Sequence, residues 1–87
     1  MPDVNADPDK LRQFARTLSS SAQQFEQLSR QLQRGLESTG WKDGERQRFE
    51  QDFKQTLKSV TQFAERLRNE YVPQLNKKAE ALDRFRS

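Results

Sequence analysis

The chain has 87 residues, of which 33% are charged, and its formal net charge is +3. It contains no Cys and no His, which excludes disulfide bonds and the usual zinc and haem sites. Basic and acidic side chains are interspersed and form no one-sided basic cluster, so nucleic acid is not an expected partner.

The first helix is predicted over about residues 8–38, after a short arm at residues 1–6. Asp7 and Pro8 are typical of a helix start, because Asp caps free backbone N–H groups and Pro suits the first turn. Large apolar residues then recur in two columns with a seven-residue repeat, as in helices that pack side by side. The first column is Leu11, Leu18, Phe25 and Leu32, and the second is Phe14 and Leu28, with Ser21 and Gly35 in its gaps. These two small residues are expected to let another helix approach closely.

A bend is predicted at about residues 39–43, where two of the three glycines lie close to the only tryptophan. The candidate bend residues are Gly40, Trp41, Asp43 and Gly44. The interpretation that we favour for Trp41 is a plug that closes the bend end of the hairpin against the second helix. The alternative is a recognition anchor, because Trp is enriched among the residues that dominate protein interfaces.

The second helix is predicted over about residues 44–86, with Asp43 as its N-cap. Its apolar residues follow one another in steps of three and four, which is helical spacing. Pro73 removes one backbone donor and crowds the carbonyl of Asn69, so a kink is predicted near Pro73. A separate short helix that starts at Val72 or Pro73 is the alternative.

This second helix is longer than the first. Residues after about 76 are therefore predicted to project past the hairpin, which would leave Leu82 and Phe85 exposed in a single chain.

The expected fold is all-α: a two-helix antiparallel hairpin that pairs with another into a four-helix bundle dimer. A chain this short, without a disulfide bond, rarely stabilises itself well, and two helices hide only part of each apolar stripe. The residues expected in the core and the interface are Leu11, Phe14, Leu18, Phe25, Leu28, Leu32, Phe49, Phe53, Val60, Phe63, Leu67 and Tyr71.

Nothing in the sequence predicts an enzyme or a bound cofactor. The serine run at residues 19–21 has no histidine base beside it, no carboxylate pair has an apolar setting, and no glycine-rich phosphate loop is present. The tail at residues 77–86 has mixed charge and only two large apolar residues, so membrane binding is not expected either. No signal-peptide core follows Met1, which predicts a protein made in the cytoplasm and, if exported, exported without a cleaved signal.

Together these features resemble the WXG family, small helical hairpins related to the early secreted antigenic target of type VII secretion systems. The resemblance covers almost the whole chain and includes the tryptophan in the bend. The family signature is Trp-x-Gly, whereas here Asp43 holds the glycine position and Gly44 follows one place later. The family's export signal, Tyr-x-x-x-Asp/Glu, is also missing, because Leu75 lies four residues after Tyr71.

The resemblance implies homodimers or heterodimers packed as four-helix bundles, which act as effectors or as carriers for larger partners. The expected function is therefore that of a non-catalytic, secretion-associated binding protein. Its expected partner is a second copy, or a paralogous hairpin, with a secretion component as a further partner. The alternative is a cytosolic structural or adaptor hairpin that contributes helices to a larger assembly.

Overall fold

The structure is a computed structural model that describes residues 6–86; residues 1–5 of the predicted arm lie outside them. The described residues form helices and no strands, which confirms the all-α prediction. Helix α1 spans Pro8–Ser38, α2 spans Gly44–Arg66, a π-helical turn spans Leu67–Tyr71, and α3 spans Val72–Arg86. The last three elements form one long helix that runs antiparallel to α1, so the chain is a helical hairpin of 65 × 20 × 16 Å.

Small side chains form the contact between the two long helices. On α1 these are Ala15, Ala22 and Ser29, which are 2%, 0% and 6% exposed and lie seven residues apart. Opposite them are the buried residues Leu57, Ala64 and Ala79. We call these six residues the seam. Because all of them except Leu57 have short side chains, the two helices can approach closely, while most of the larger side chains lie beside the seam.

The two sides of the seam differ in chemistry. Positions four residues after the seam residues carry polar and charged side chains. Two ion pairs join the helices on this side: Glu26 with Arg68, and Asp83 with Arg12, which lies one heptad before Ser19. Positions three residues after the seam residues carry large apolar side chains. Partly exposed ion pairs add little stability, so their main effect is on the alignment of the two helices.

The π-helical turn keeps the second long helix in register with α1. The N–H of Val72 donates to the carbonyl of Leu67, five residues earlier, so this turn contains one more residue than an α-helical turn. The wider turn also accommodates Pro73, which cannot donate to the carbonyl of Asn69. Because of the extra residue, Ala79 is the buried seam position and Lys78 is exposed.

Deletion of Asn69 together with Pro73→Ala is expected to preserve the hairpin. The deletion converts the π-helical turn into an α-helical turn and leaves the seam positions seven residues apart. The proline substitution removes a residue that costs roughly 3 kcal/mol inside an α-helix. Deletion of the exposed Ser59 is the control, because it rotates one part of a regular helix by about 100° against the other. Urea unfolding followed by circular dichroism should show a large loss of stability for the control alone, and equal losses would contradict this account of the π-helical turn.

The C-terminal part of the second helix packs on α1, and the prediction that it projects past the hairpin was wrong. Ala79 is fully buried, Leu82 is half-buried, and Asp83 pairs with Arg12 near the start of α1. At the other end of the hairpin, Trp41 lies along the first turns of α2, beside Arg46 and Phe49. Only Phe85, which is 72% exposed, agrees with the predicted exposure.

Candidate binding surface

One side of the hairpin is covered by large apolar side chains, and we call it the apolar face. Its residues from α1 are Leu11, Phe14, Leu18, Phe25, Leu28 and Leu32. Its residues from the second long helix are Phe49, Phe53, Val60, Phe63, Leu67, Tyr71, Leu75, Leu82 and Phe85. Phe25 and Phe63 join the two helices across this face, with ring centroids 5.6 Å apart in an edge-to-face arrangement.

The apolar face is poorly covered by the chain itself. Among the described residues, all the large apolar side chains that stand out as exposed belong to it: Phe14, Leu28, Leu32, Phe49, Phe63 and Phe85, at 40% to 72%. Scattered exposed apolar residues are normal on a protein surface, whereas a contiguous patch usually marks an interaction site. The exposed apolar residues of the hairpin therefore form one patch, which is the candidate binding surface.

A shallow groove lies in the middle of the apolar face, with a volume of about 460 Å³. Phe14 and Leu18 line it from α1, and Phe63, Leu67 and Leu75 line it from the second helix. Lys78 lies at its edge. The groove is open and almost entirely apolar, so it suits an apolar side chain from another protein and offers little to a polar small molecule.

The bend holds Trp41 through its polar groups. The indole Nε1–H donates to Asp43 Oδ1 at 2.7 Å, and the backbone N–H donates to Thr39 Oγ1 at 3.1 Å. The carbonyl of Trp41 accepts from Arg46 Nη1 at 2.8 Å. Gly40 has a φ of 69°, a left-handed conformation that favours glycine after a helix.

The aromatic part of Trp41 extends the apolar face to the bend. Its ring lies 5.5 Å from that of Phe49, which stacks on Phe53 at 5.3 Å. These contacts tie the half-buried Trp41 to its own chain, as the plug interpretation predicts. A role as anchor for a partner stays a prediction.

A charged group secures the first turns of α2. Lys54 Nζ lies 2.9 Å from Glu50 Oε1, and Arg46 Nε lies 3.4 Å from Glu50 Oε2. The hydrogen bond and charge of Lys54, with a smaller contribution from Arg46, hold the pKa of Glu50 below its usual value. Arg46 lies between this carboxylate and the carbonyl of Trp41, to which it donates.

Asp43 binds both Trp41 and the start of α2. Its Oδ1 atom accepts from the indole N–H of Trp41 and, as the N-cap of α2, from the Glu45 N–H at 3.0 Å. We expect Asp43→Ala to destabilise the chain by about 1–2 kcal/mol, typical of a lost cap. The tryptophan fluorescence should also change, because the indole loses its acceptor. The control is Asp9→Ala, which removes an exposed carboxylate from the first turn of the other helix. An unchanged fluorescence and melting temperature for Asp43→Ala would contradict this arrangement.

The structure brings together the residues predicted for core and interface, but it does not bury most of them. Of that set only Leu67 is buried, at 5% exposure. Five of these residues are exposed in the single chain: Phe14, Leu28, Leu32, Phe49 and Phe63. Their place in an interface between chains stays a prediction.

Sequence reasoning missed the seam. Ala and Ser give no hydrophobic signal of their own, so the larger neighbours hid the seven-residue spacing of Ala15, Ala22 and Ser29. Ser21 and Gly35, predicted to permit close approach, do not lie in the contact between the two helices. A Cβ atom at Gly35 would meet nothing within 4 Å. The signal available in the sequence was a column of small residues between an apolar column and a charged one.

Comparisons with protein-family models, curated proteins and solved structures found no match for the chain. Within residues 6–86, no helix has the length and apolar character needed to cross a membrane. In the same range no cluster of three or more potential metal-binding side chains occurs.

Proposed function

We propose that the chain is a non-catalytic, WXG-like binding protein that pairs with a second helical hairpin into a four-helix bundle. The observation that carries this proposal is the concentration of exposed large apolar residues on one face of the hairpin. A four-helix bundle covers such a face with two further helices and leaves polar side chains outside. The expected biological role is that of a carrier or effector in secretion.

The size of the apolar face agrees with a stable interface. Helix α1 has 31 residues and is about 46 Å long at 1.5 Å per residue. With a hairpin width of 20 Å, the face offers roughly 900 Å² per partner, close to the ~800 Å² per partner of standard protein interfaces. Covering it would stabilise a chain that has few buried side chains of its own.

The secretion-associated part of the proposal rests on the resemblance to the WXG family, and above all on the tryptophan in the bend. The alternative, a cytosolic adaptor, uses the same face for a different assembly. Fractionation of the cells that make the protein separates the two. Recovery in the medium that depends on the secretion machinery supports the first, and retention with an intracellular complex supports the second.

The pairing itself is tested by light scattering on the purified chain, with circular dichroism on the same sample. A helical species of about twice 10.3 kDa is expected. A well-folded species of 10.3 kDa at micromolar concentration would contradict the proposal. A poorly folded chain that becomes helical only with a paralogous hairpin would assign the face to a heterodimer.

A further inference from the structure

On the polar side of the seam, a gap lies between the two ion pairs that join the long helices. Arg12 pairs with Asp83, and Glu26 pairs with Arg68. The position between them on α1 is Ser19, which lies one heptad from both Arg12 and Glu26. A short side chain therefore stands where the neighbouring heptads carry charged side chains that reach across to the other helix.

A small groove occupies this gap, with a volume of about 230 Å³. The buried Ala15 and the half-buried Val72 supply its apolar part. Ser19 and Asn76 follow these two residues by four positions, so they line the same groove one helical turn further along each helix. Among residues 6–86, neither of these polar side chains makes a hydrogen bond. The groove is smaller than the ~300–1,000 Å³ of pockets for drug-sized ligands, so its size suits a single side chain.

Two arginines complete the groove, and they differ in their partners. Arg12 forms ion pairs with Asp9 and Asp83. Glu80, whose charge also acts on Arg12, is itself in an ion pair one turn later on the same helix. Arg16 is exposed and makes no ion pair within the described part of the chain. Its guanidinium group therefore has unused donors, arranged in a planar fork that matches a carboxylate.

From these groups we infer that the groove binds the side chain of a glutamate on a partner protein. The methylene groups of the glutamate contact Ala15 and Val72. Its carboxylate accepts two hydrogen bonds from Arg16 and is close enough to the Ser19 hydroxyl and the Asn76 amide to accept from these as well. A glutamine side chain fits less well, because its NH2 group would meet the donors of the guanidinium and its charge is zero.

This groove and the apolar face lie on opposite sides of the seam. A hairpin that is covered by a second hairpin on its apolar face therefore leaves the groove open to a further protein. Binding at the groove does not require that pairing, so the two surfaces can be tested separately. Together they would let one chain assemble with a helical partner and recognise an acidic residue on another protein.

Nuclear magnetic resonance tests the inference with a blocked glutamate, N-acetyl-glutamate methylamide, as the probe. The blocked glutamine is the matched control ligand. Titration of the full chain with the glutamate should move the backbone amide signal of Ser19, the side-chain amide signals of Asn76 and the Nε–H signal of Arg16. These shifts should saturate in the millimolar range, as expected for one side chain, and the glutamine should not produce them.

The absence of saturable shifts at these three residues would overturn the inference and would leave the proposed pairing untouched. Inorganic phosphate is a third ligand for the same titration. Tighter binding of phosphate than of the glutamate at the same signals would overturn the assignment of the groove to a carboxylate.

Charge is tested by Arg16→Gln, which should weaken the binding of the blocked glutamate at least tenfold. The matched control is Arg30→Gln, because Arg30 is exposed and lies two heptads later in the same column of α1. Equal weakening in the two variants, or none in either, would show that the glutamate does not depend on Arg16 and would overturn the inference.

Shape is tested by Ser19→Leu, which fills the groove with a larger side chain and leaves Arg16 in place. Ser19 is exposed and leucine is a good helix former, so circular dichroism should show an unchanged helical content. Binding should fall at least tenfold, whereas Ser20→Leu, on the neighbouring exposed position, should retain it. Full binding by Ser19→Leu would overturn the inference, because the contact with Arg16 would then need no groove.

Discussion

Ala22→Leu is expected to destabilise the hairpin by about 3 kcal/mol, the upper end of the usual cost of overpacking. Ala22 is 0% exposed and lies in the middle of the seam, beside Ala64 and Leu67. Leucine is a good helix former, so the substitution does not harm α1 itself. The cost arises because the added side chain forces the two long helices apart and weakens the packing on both sides.

Urea unfolding followed by circular dichroism measures this effect. Ser20→Leu is the matched control, because Ser20 is exposed on the same helix and a substitution there should change the stability by no more than about 0.5 kcal/mol. Equal stability of the two variants would show that the seam is not the contact between the helices.

Phe63→Ala is expected to lower the free energy of unfolding by about 3–5 kcal/mol if the apolar face is covered by a partner, and by about half as much in a single chain. The ring is 49% exposed in the hairpin and contacts Phe25 through its edge. Part of its apolar surface is therefore buried by the chain itself, and the rest can be buried only by a second molecule.

Phe85→Ala is the companion variant that separates these two cases. Phe85 is 72% exposed, so in a single chain its loss should cost less than about 0.5 kcal/mol. In the proposed dimer it should clearly lower the melting temperature, and the melting temperature of the unsubstituted chain should rise with protein concentration. A concentration-independent melting temperature, together with a negligible effect of Phe85→Ala, would contradict a dimer formed through this face.

The chain's local structure follows from its sequence. Asp7 and Asp43 cap α1 and α2, as expected from their positions before helical repeats. The steps of three and four residues between apolar positions determine an all-α chain, because only a helix places such positions on one side. Glycine at position 40 and the helix-breaking stretch around it separate the two long helices.

The tertiary structure decided which side chains lie between the helices. The hydrophobic pattern of the sequence points to the largest apolar residues as the core. The distance between two helices, however, is set by the side chains at their line of contact. Here that line is occupied on α1 by Ala15, Ala22 and Ser29. The alignment of the helices likewise depends on the extra residue of the π-helical turn and on ion pairs such as Arg12 with Asp83. Sequence by itself determined the helices, the bend and an apolar stripe. Only the packing of one helix on the other decided that most of this stripe remains on the surface. The physical reason is that small side chains, and not the large apolar ones, occupy the contact between the two helices.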